Sequence, residues 1–438
     1  MPAAVSRPSL VSKASYRWSV VASLATIMFL SAGLGFYSLG VFVVPFEEEF
    51  GWSRGQVSLG IAMATLVSGV MGPLVGLAVE RLGARTVLAA GATGMGICFA
   101  LLGLTWSLLY LYAMFMMMAV WRSGLMLVPV SHVVANWFER QRGLAMGITT
   151  TGIGFGGLVM APTCKVLISF AGWRLTFLIM GLVIIAVALP LILLVIRQRP
   201  AERGPLPDGV SSLSAPGTAS HDSGRQPAPA WSVGDAMRTR AFILATAAIG
   251  LGFASLGAVL LHTSPFMEDR GVAPEVAGLI LGLVAGMGVI GKVGSGYLAD
   301  RVPPQRVLAG VFLMEALGLA VLISTDSAIG VAAFVLIFGY SMGGVVALQP
   351  LVVVYYFGLA SVATILGAMT AFSSIFMAVG PVFAGFMHDV LDSYTLAYLV
   401  FISVDCVAAV LVLLIGARQQ GNGAPLSSGH HRKASAEA

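Results

Sequence analysis

The sequence predicts an all-α membrane protein of twelve transmembrane helices in two pseudo-symmetric six-helix bundles. Three observations carry that prediction: too little charge for water, twelve apolar stretches of bilayer-spanning length, and an internal repeat at an offset near 220 residues. Of the 438 residues, 58% are hydrophobic and 10% charged, against roughly 25% charged in soluble globular chains. A soluble chain of this length needs charged side chains over its surface, and hydrocarbon removes that need. The 53 glycines and 21 methionines suit helices that pack closely in lipid. The net charge of +5 is scattered in ones and twos and forms no stripe for nucleic acid. Cys98, Cys164 and Cys406 fall inside apolar segments, which argues against a disulfide framework or a metal site.

A span needs about 20 apolar residues, and segments of that kind lie at 18–45, 56–79, 86–105, 107–135, 143–170, 175–196, 241–264, 273–298, 307–324, 328–348, 359–386 and 394–416. The first is far longer than the roughly 7–15 residue core of a cleaved signal peptide, so it counts as a span. No Asp, Glu, Lys, Arg or His occurs from Ser327 to Met387. The break between the tenth and eleventh spans is expected from Gln349-Pro350 to Ala360.

An even number of spans puts both termini on one side, and the Lys/Arg distribution selects the cytoplasm. With the termini inside, eighteen basic residues fall in cytoplasmic segments and three outside: Arg54, Arg174 and Arg270. The expected organisation is a cytoplasmic tail (1–17), an N-terminal bundle (18–196), a cytoplasmic linker (197–240), a C-terminal bundle (241–416) and a second cytoplasmic tail (417–438). The linker is rich in Pro, Ser, Gly and charge, the composition of a flexible connection. The His430-His431 pair reads as part of a solvated tail.

The halves echo each other. GLAVERLGAR (76–85) follows the second span and GYLADRVPPQR (296–306) the eighth, so Gly76, Glu80 and Arg81 map onto Gly296, Asp300 and Arg301. Gly147 maps onto Gly367, and Pro162 onto Pro381 within one residue. Parallel repeats are a known architecture of carriers that bind solute between halves. An acid beside an arginine behind a glycine, where a helix leaves the membrane, can bond neighbouring helix ends. Gly76, Glu80, Arg81, Arg85, Gly296, Asp300 and Arg301 are therefore expected to form a conformational latch.

These motifs resemble the major facilitator superfamily, whose signature after the second span is a glycine, an acid-arginine pair, a glycine and further basic residues. Glu80 stands where Asp is usual. The resemblance runs from about Trp18 to Ala417 and implies two six-helix bundles and alternating access. VVPFEEEFGWSR (43–54) and NWFERQRGLAMGITTTGIGFGG (136–157) are similar to the monocarboxylate-transporter branch and its bacterial relatives, the oxalate/formate exchangers; GWRLTF (172–177) is common across the superfamily. That likeness aligns Lys292 with the branch's substrate-pairing arginine in the eighth span, judged by the register of Gly296 and Ala299. Gly288 stands where the branch has an Asp, and the first span has no lysine where proton-coupled members carry one.

Charges within spans cost about 2.5–3.5 kcal/mol on insertion scales and usually face a cavity or a partner. Lys292, about 12 Å inward from Asp300 at 1.5 Å per residue, and Arg122, near the middle of the fourth span, offer one cation from each half for a bound anion. Tyr37 and Tyr340, on the first and tenth spans, can donate to a carboxylate from an apolar wall. Glu315 and Asp405, on the ninth and twelfth, are possible coupling groups. Lys165 is expected to snorkel, and His262 lies at a loop edge. GMGVIGK (286–292) mimics a phosphate loop, but it lies within a span with no strand before it and Val293 in place of Ser or Thr, so its glycines read as packing positions. Gly152 and Gly156 read the same way.

The expected protein is a secondary active carrier of a small organic anion, monocarboxylate-like, working as symporter or antiporter by alternating access. It is not an enzyme and needs no cofactor, ATP or nucleic acid. Its expected partners are the anion, protons as coupling ion and membrane lipid, and it acts as a monomer in the inner or plasma membrane. Two alternatives stay open: proton-coupled efflux of a hydrophobic drug or metabolite, with Arg122 in the coupling, and a transporter-like membrane sensor without turnover.

Overall fold

Hydrocarbon cannot hydrate backbone amides, so each span must satisfy them within itself as a helix. A computed structural model describes residues 10–197, 231–325, 327–391 and 393–416, and no strand occurs among them. Most of the linker and all of the C-terminal tail, with His430-His431, lie outside the described residues.

Helix α1 runs over Leu10–Ala32, passes through a π-helical turn at Gly33–Tyr37 and a 3₁₀ turn at Leu39–Phe42, and ends with Val43–Phe50. Helix α2 is Arg54–Val70 joined to Gly72–Leu82 at a bend of 46°. Pro73 explains the bend, because its ring displaces the carbonyl one turn earlier. Helix α3 is Ala84–Leu102. Helix α4 is two pieces, Leu108–Ser123 and Leu127–Trp137, where an unbroken span was expected. Pro129, in the first turn of the second piece, cannot continue the bonding ladder back through Leu125. Helices α5 (142–171) and α6 (173–195) meet at Gly172, whose φ of 75° breaks an otherwise continuous run. Pro190 lies between two π turns of α6, as expected where an amide donor is missing.

The second half repeats the plan with α7 Arg240–Asp269, α8 Pro274–Ala299, α9 Pro304–Ser324, α10 Ala328–Phe357, α11 Val362–Leu391 and α12 Thr395–Leu414. Ser107, Thr239 and Ser327 cap α4, α7 and α10 by accepting from the amides of Tyr110, Phe242 and Gly330, which satisfies one free helix-end donor each. Helix α10 is longer than expected. It continues through Pro350 to Phe357 and turns at Gly358, whose φ of 76° suits glycine. No charge marks that turn, so Gln349-Pro350 looked like the better break in the sequence.

Packing follows the repeat: α1 lies on α5 as α7 lies on α11, α2 on α4 as α8 on α10, and α3 on α6 as α9 on α12. Across the halves, α2 meets α11 and α5 meets α8. The backbones touch where glycine allows it. A Cβ on Gly152 of α5 would lie 2.1 Å from the Ala25 carbonyl of α1, and one on Gly380 of α11 would lie 1.9 Å from that of Ala254 on α7.

At the end of the molecule where α1 finishes, the segment 43–54 meets the segment 172–177. Trp173 donates to Glu49 at 2.6 Å and Arg174 pairs with the same carboxylate, with its guanidinium over the Trp173 ring at 4.2 Å. Phe50 and Trp52 stack at 4.3 Å. The structure thus gives both motifs one job, tying α1 to the α5–α6 turn.

Gly152→Val should lower the thermal unfolding temperature, because overpacking a tight contact costs about 1–3 kcal/mol. Gly310→Ala, at an exposed helical position with no neighbouring atom within 4 Å, should leave it unchanged or raise it, since glycine is a poor helix former. Thermal unfolding of the two purified variants checks the contrast.

Candidate functional site

Between the halves lies a cavity of about 290 Å³ with walls from α1, α2, α4, α5, α7, α8, α10 and α11. Most of the wall is apolar, with Phe36, Met126, Ile153, Phe253, Leu256 and Met342 among its residues. Arg122 of α4 and Lys292 of α8 both line it and are 7% and 4% exposed. Among the described residues neither side chain has a hydrogen bond or ion pair, and the buried Arg122 Nε has no acceptor. The Arg122 guanidinium lies over the Phe36 ring at 5.7 Å, a cation–π contact that partly replaces water.

Local backbone features place these groups. Arg122 lies in the last turn of the first piece of α4, just before the break, and its aliphatic stem occupies space that a Cβ on Gly35 would fill. The π turn at Gly33–Tyr37 brings Phe36 and Tyr37 to the cavity wall, a use typical of π-bulges at functional positions. Lys292 reaches toward α5, where a Cβ on Gly154 would stand 3.4 Å from its Nζ. Two of the three glycines of GMGVIGK pack helices, Gly288 against Met342 and Gly291 against the Tyr340 backbone, whereas Gly286 faces open space with no atom within 4 Å of a Cβ there.

Of the four expected lining residues, Arg122, Lys292 and Tyr37 line the cavity and Tyr340 does not. The Tyr340 hydroxyl packs against Gly294 on another face of α8, because α10 presents residues 342, 346 and 349 to the cavity. Sequence reasoning missed Gln349. It is 1% exposed, lines the cavity and has an unpartnered Nε2. Its place beside Pro350 suggested a loop, and only the continuity of α10 reveals it as a buried donor.

Glu315 and Asp405 are fully buried but lie away from the cavity, where α9, α12 and α7 meet. Lys165 is exposed near the outer part of α5. His262 bonds the Pro381 carbonyl through Nε2 at 2.9 Å and the Tyr394 hydroxyl through Nδ1 at 3.2 Å.

At one end of the molecule the two halves meet in two related seams. In the first, Asp300 at the end of α8 accepts from the Gly143 amide at 2.6 Å and from the Leu144 amide at 2.9 Å, at the start of α5. In the second, Glu80 at the end of α2 accepts from the Thr364 amide at 3.1 Å, at the start of α11. Each carboxylate therefore caps the helix N-terminus of the opposite half, where free amides and the helix dipole favour an anion. Beneath the caps the backbones touch. Cβ atoms on Gly143 and Gly76 would lie 2.0 Å from the Gly296 carbonyl and 2.5 Å from that of Ala363.

The arginines of these motifs do not bridge the halves. Arg81 is exposed; Arg85 donates to the Ile192 carbonyl at 3.3 Å and to that of Leu193, at the end of α6 in its own bundle. Arg301 donates to Tyr297 of its own helix at 3.2 Å. A guanidinium suits carbonyls at a helix C-terminus, whereas the seams present amides.

A paired-bundle fold around a solute-sized cavity defines a class of membrane carriers, and comparison with known proteins gives the family. The Major Facilitator Superfamily model matches residues 25–381. The chain belongs to that superfamily and is a transporter of its kind. It is 28% identical over 406 residues to monocarboxylate transporter 11 of Homo sapiens, covering 87% of this chain and 79% of the relative. To monocarboxylate transporter 13 of Bos taurus it is 24% identical, covering 83% and 81%. The crystal structure of the transporter FucP in the outward conformation matches with a TM-score of 0.68 at 13% identity, covering 90% of this chain and 98% of that one. The proton:xylose symporter XylE matches with a TM-score of 0.66 at 14% identity, covering 92% and 96%.

Neutralising both caps in Glu80→Gln/Asp300→Asn should weaken the contact between the halves at this end, since hydrogen bonds to charged groups contribute about 1.5–3 kcal/mol each. Spin labels at the exposed Leu82 and Leu359, one in each half at this end, should report a longer-distance population that is minor in the parent protein. An unchanged distance distribution would show that the carboxylates do not hold the seam.

Proposed function

We propose that this transporter carries a small organic anion of the monocarboxylate kind by alternating access. One observation carries the reading: a cation from each half faces a shared cavity, and neither has a counter-charge. A carboxylate entering that space supplies the missing charge to both halves at once. Gln349 and Tyr37 offer hydrogen bonds beside them, and the apolar wall accepts the organic body. The relatives named as monocarboxylate transporters support the same substrate class.

The distribution of basic residues supports an orientation with both termini and the two seams on the cytoplasmic side of an inner or plasma membrane. Residues 18–196 and 241–416 then act as the moving halves, and 197–240 as their linker. The Glu80 and Asp300 caps act as the latch of the cytoplasm-closed state. Solute bound between Arg122 and Lys292 draws the outer ends together while the caps release, and the cavity reopens on the other side. Transport by exchange or symport fits this scheme without ATP. Efflux of an uncharged hydrophobic compound would leave both buried cations unused.

Lys292→Met should lower carboxylate uptake at least about tenfold, the minimum expected from losing one charge-assisted bond of about 1.5–3 kcal/mol, while membrane insertion stays intact. Thermal-shift titration of purified protein with short-chain carboxylates should show stabilisation that this variant loses. Parent-level uptake in Lys292→Met would refute the assignment.

A further inference from the structure

The cavity accounts for Arg122 and Lys292 and leaves a second buried charged cluster unexplained. Glu315 of α9 and Asp405 of α12 are both 0% exposed, on two helices that pack directly together. Asp405 Oδ2 accepts from the Ser255 hydroxyl of α7 at 2.9 Å. Both Glu315 oxygens and Asp405 Oδ1 have no partner. Two ionised carboxylates there would have neither water nor a cation, the costliest arrangement for buried charge.

The internal repeat supplies an independent control. Shifted by the 220-residue offset, Glu315 corresponds to Met95, Asp405 to Ile185 and Ser255 to Gly35. In the N-terminal half these positions are simple packing: a Cβ on Gly35 would meet the Met95 methyl at 2.4 Å, and one on neighbouring Gly96 would meet the Ile185 side chain at 2.5 Å. The architecture therefore needs only apolar contact at this point. The C-terminal half carries two acids and a hydroxyl instead.

Among the described residues no base pairs with either acid. Apart from the pair, the ionisable side chains described on the helices that contact α9 or α12 are Arg240, His262, Glu268 and Asp269 on α7, Lys292 and Tyr297 on α8, Arg306 on α9, Tyr340, Tyr355 and Tyr356 on α10, His388 on α11, and Tyr398 and Cys406 on α12; Lys292 lines the solute cavity and His388 pairs with Asp269. His262 is engaged by Tyr394 and Pro381, Tyr340 packs on Gly294, and Arg240 and Arg306 lie in first turns at helix ends.

We infer that Glu315 and Asp405 form a proton-binding site of the C-terminal bundle, separate from the solute cavity. Doubly protonated, the pair is neutral. Release of one proton to solvent breaks one carboxyl O–H bond and leaves one neutral acid beside one carboxylate, a single buried charge in place of two. The cavity-lining Leu256 is the neighbour of Ser255 on α7, so a change in the α7–α12 contact reaches the cavity through one helix. Burial in this conformation makes exchange with water depend on movement of these helices.

The test uses full-length protein in lipid nanodiscs, titrated from acid to alkaline pH, with infrared absorption of protonated carboxyls as readout. The wild type should show a buried protonated-carboxyl band that titrates, and Glu315→Gln/Asp405→Asn should lose it. Proton binding to the folded state stabilises that state by mass action. The wild-type unfolding temperature should therefore fall as pH rises through the same window, while the double amide variant stays flat there. Glu315→Met/Asp405→Ile, which installs the residues of the other half, should fold and be equally flat. The proposal is overturned if wild type shows no shielded protonated carboxyl at any pH, a result that needs no variant. It is also overturned if the band survives in either double variant, or if added sodium at fixed pH replaces the pH response and marks a metal-cation site.

Discussion

Hydrocarbon solvates neither a bare amide nor a bare charge, and the whole structure follows from where the chain meets or evades that constraint. Backbone groups evade it by forming helices. Helices then associate by close contact, with glycine where carbonyls of neighbouring helices approach within a Cβ's reach, as at Gly152 and Gly380. Few charges remain inside, and each needs a local reason. Arg122 and Lys292 have a cavity, whereas among the described residues the only hydrogen bond of the Glu315–Asp405 pair is the one from Ser255 to Asp405.

The same physics explains the asymmetry of the seam. A carboxylate at the end of α2 or α8 finds free amides at the start of the opposite half's α11 or α5. Such a bond is short-range and reversible, and it is made only when two helix ends are brought together. The glycine contacts beneath it set how closely they come. A pair of related seams therefore joins the two halves at one end without any long-range element.

Much of this was legible in the sequence. Composition and span length specify the helices, and the 220-residue echo of Gly76, Glu80 and Arg81 in Gly296, Asp300 and Arg301 specifies two matched halves. The two intramembrane cations on the cavity wall could also be picked out, because charge is conspicuous in an apolar chain. What escaped was direction. A tyrosine on a cavity helix points wherever its turn of helix puts it, so Tyr340 packs on Gly294 while Gln349 faces the cavity. The break in α4 and the π turn of α1 depend on bonding ladders that periodicity does not display. The bonding of the arginines was equally hidden, since a motif does not reveal whether its partners are amides or carbonyls. Arg85 goes to carbonyls and Glu80 to an amide.

The central claim is that solute bound between the two halves carries them from one accessible state to the other. Counterflow in proteoliposomes tests it most directly: vesicles preloaded with an unlabelled short-chain carboxylate and diluted into a trace of the labelled compound. The account predicts that preloading accelerates entry of label above that in empty vesicles, with transient accumulation that decays as the gradient runs down. Saturable binding of the same carboxylate with no counterflow would contradict it and would describe a receptor built on a carrier's fold.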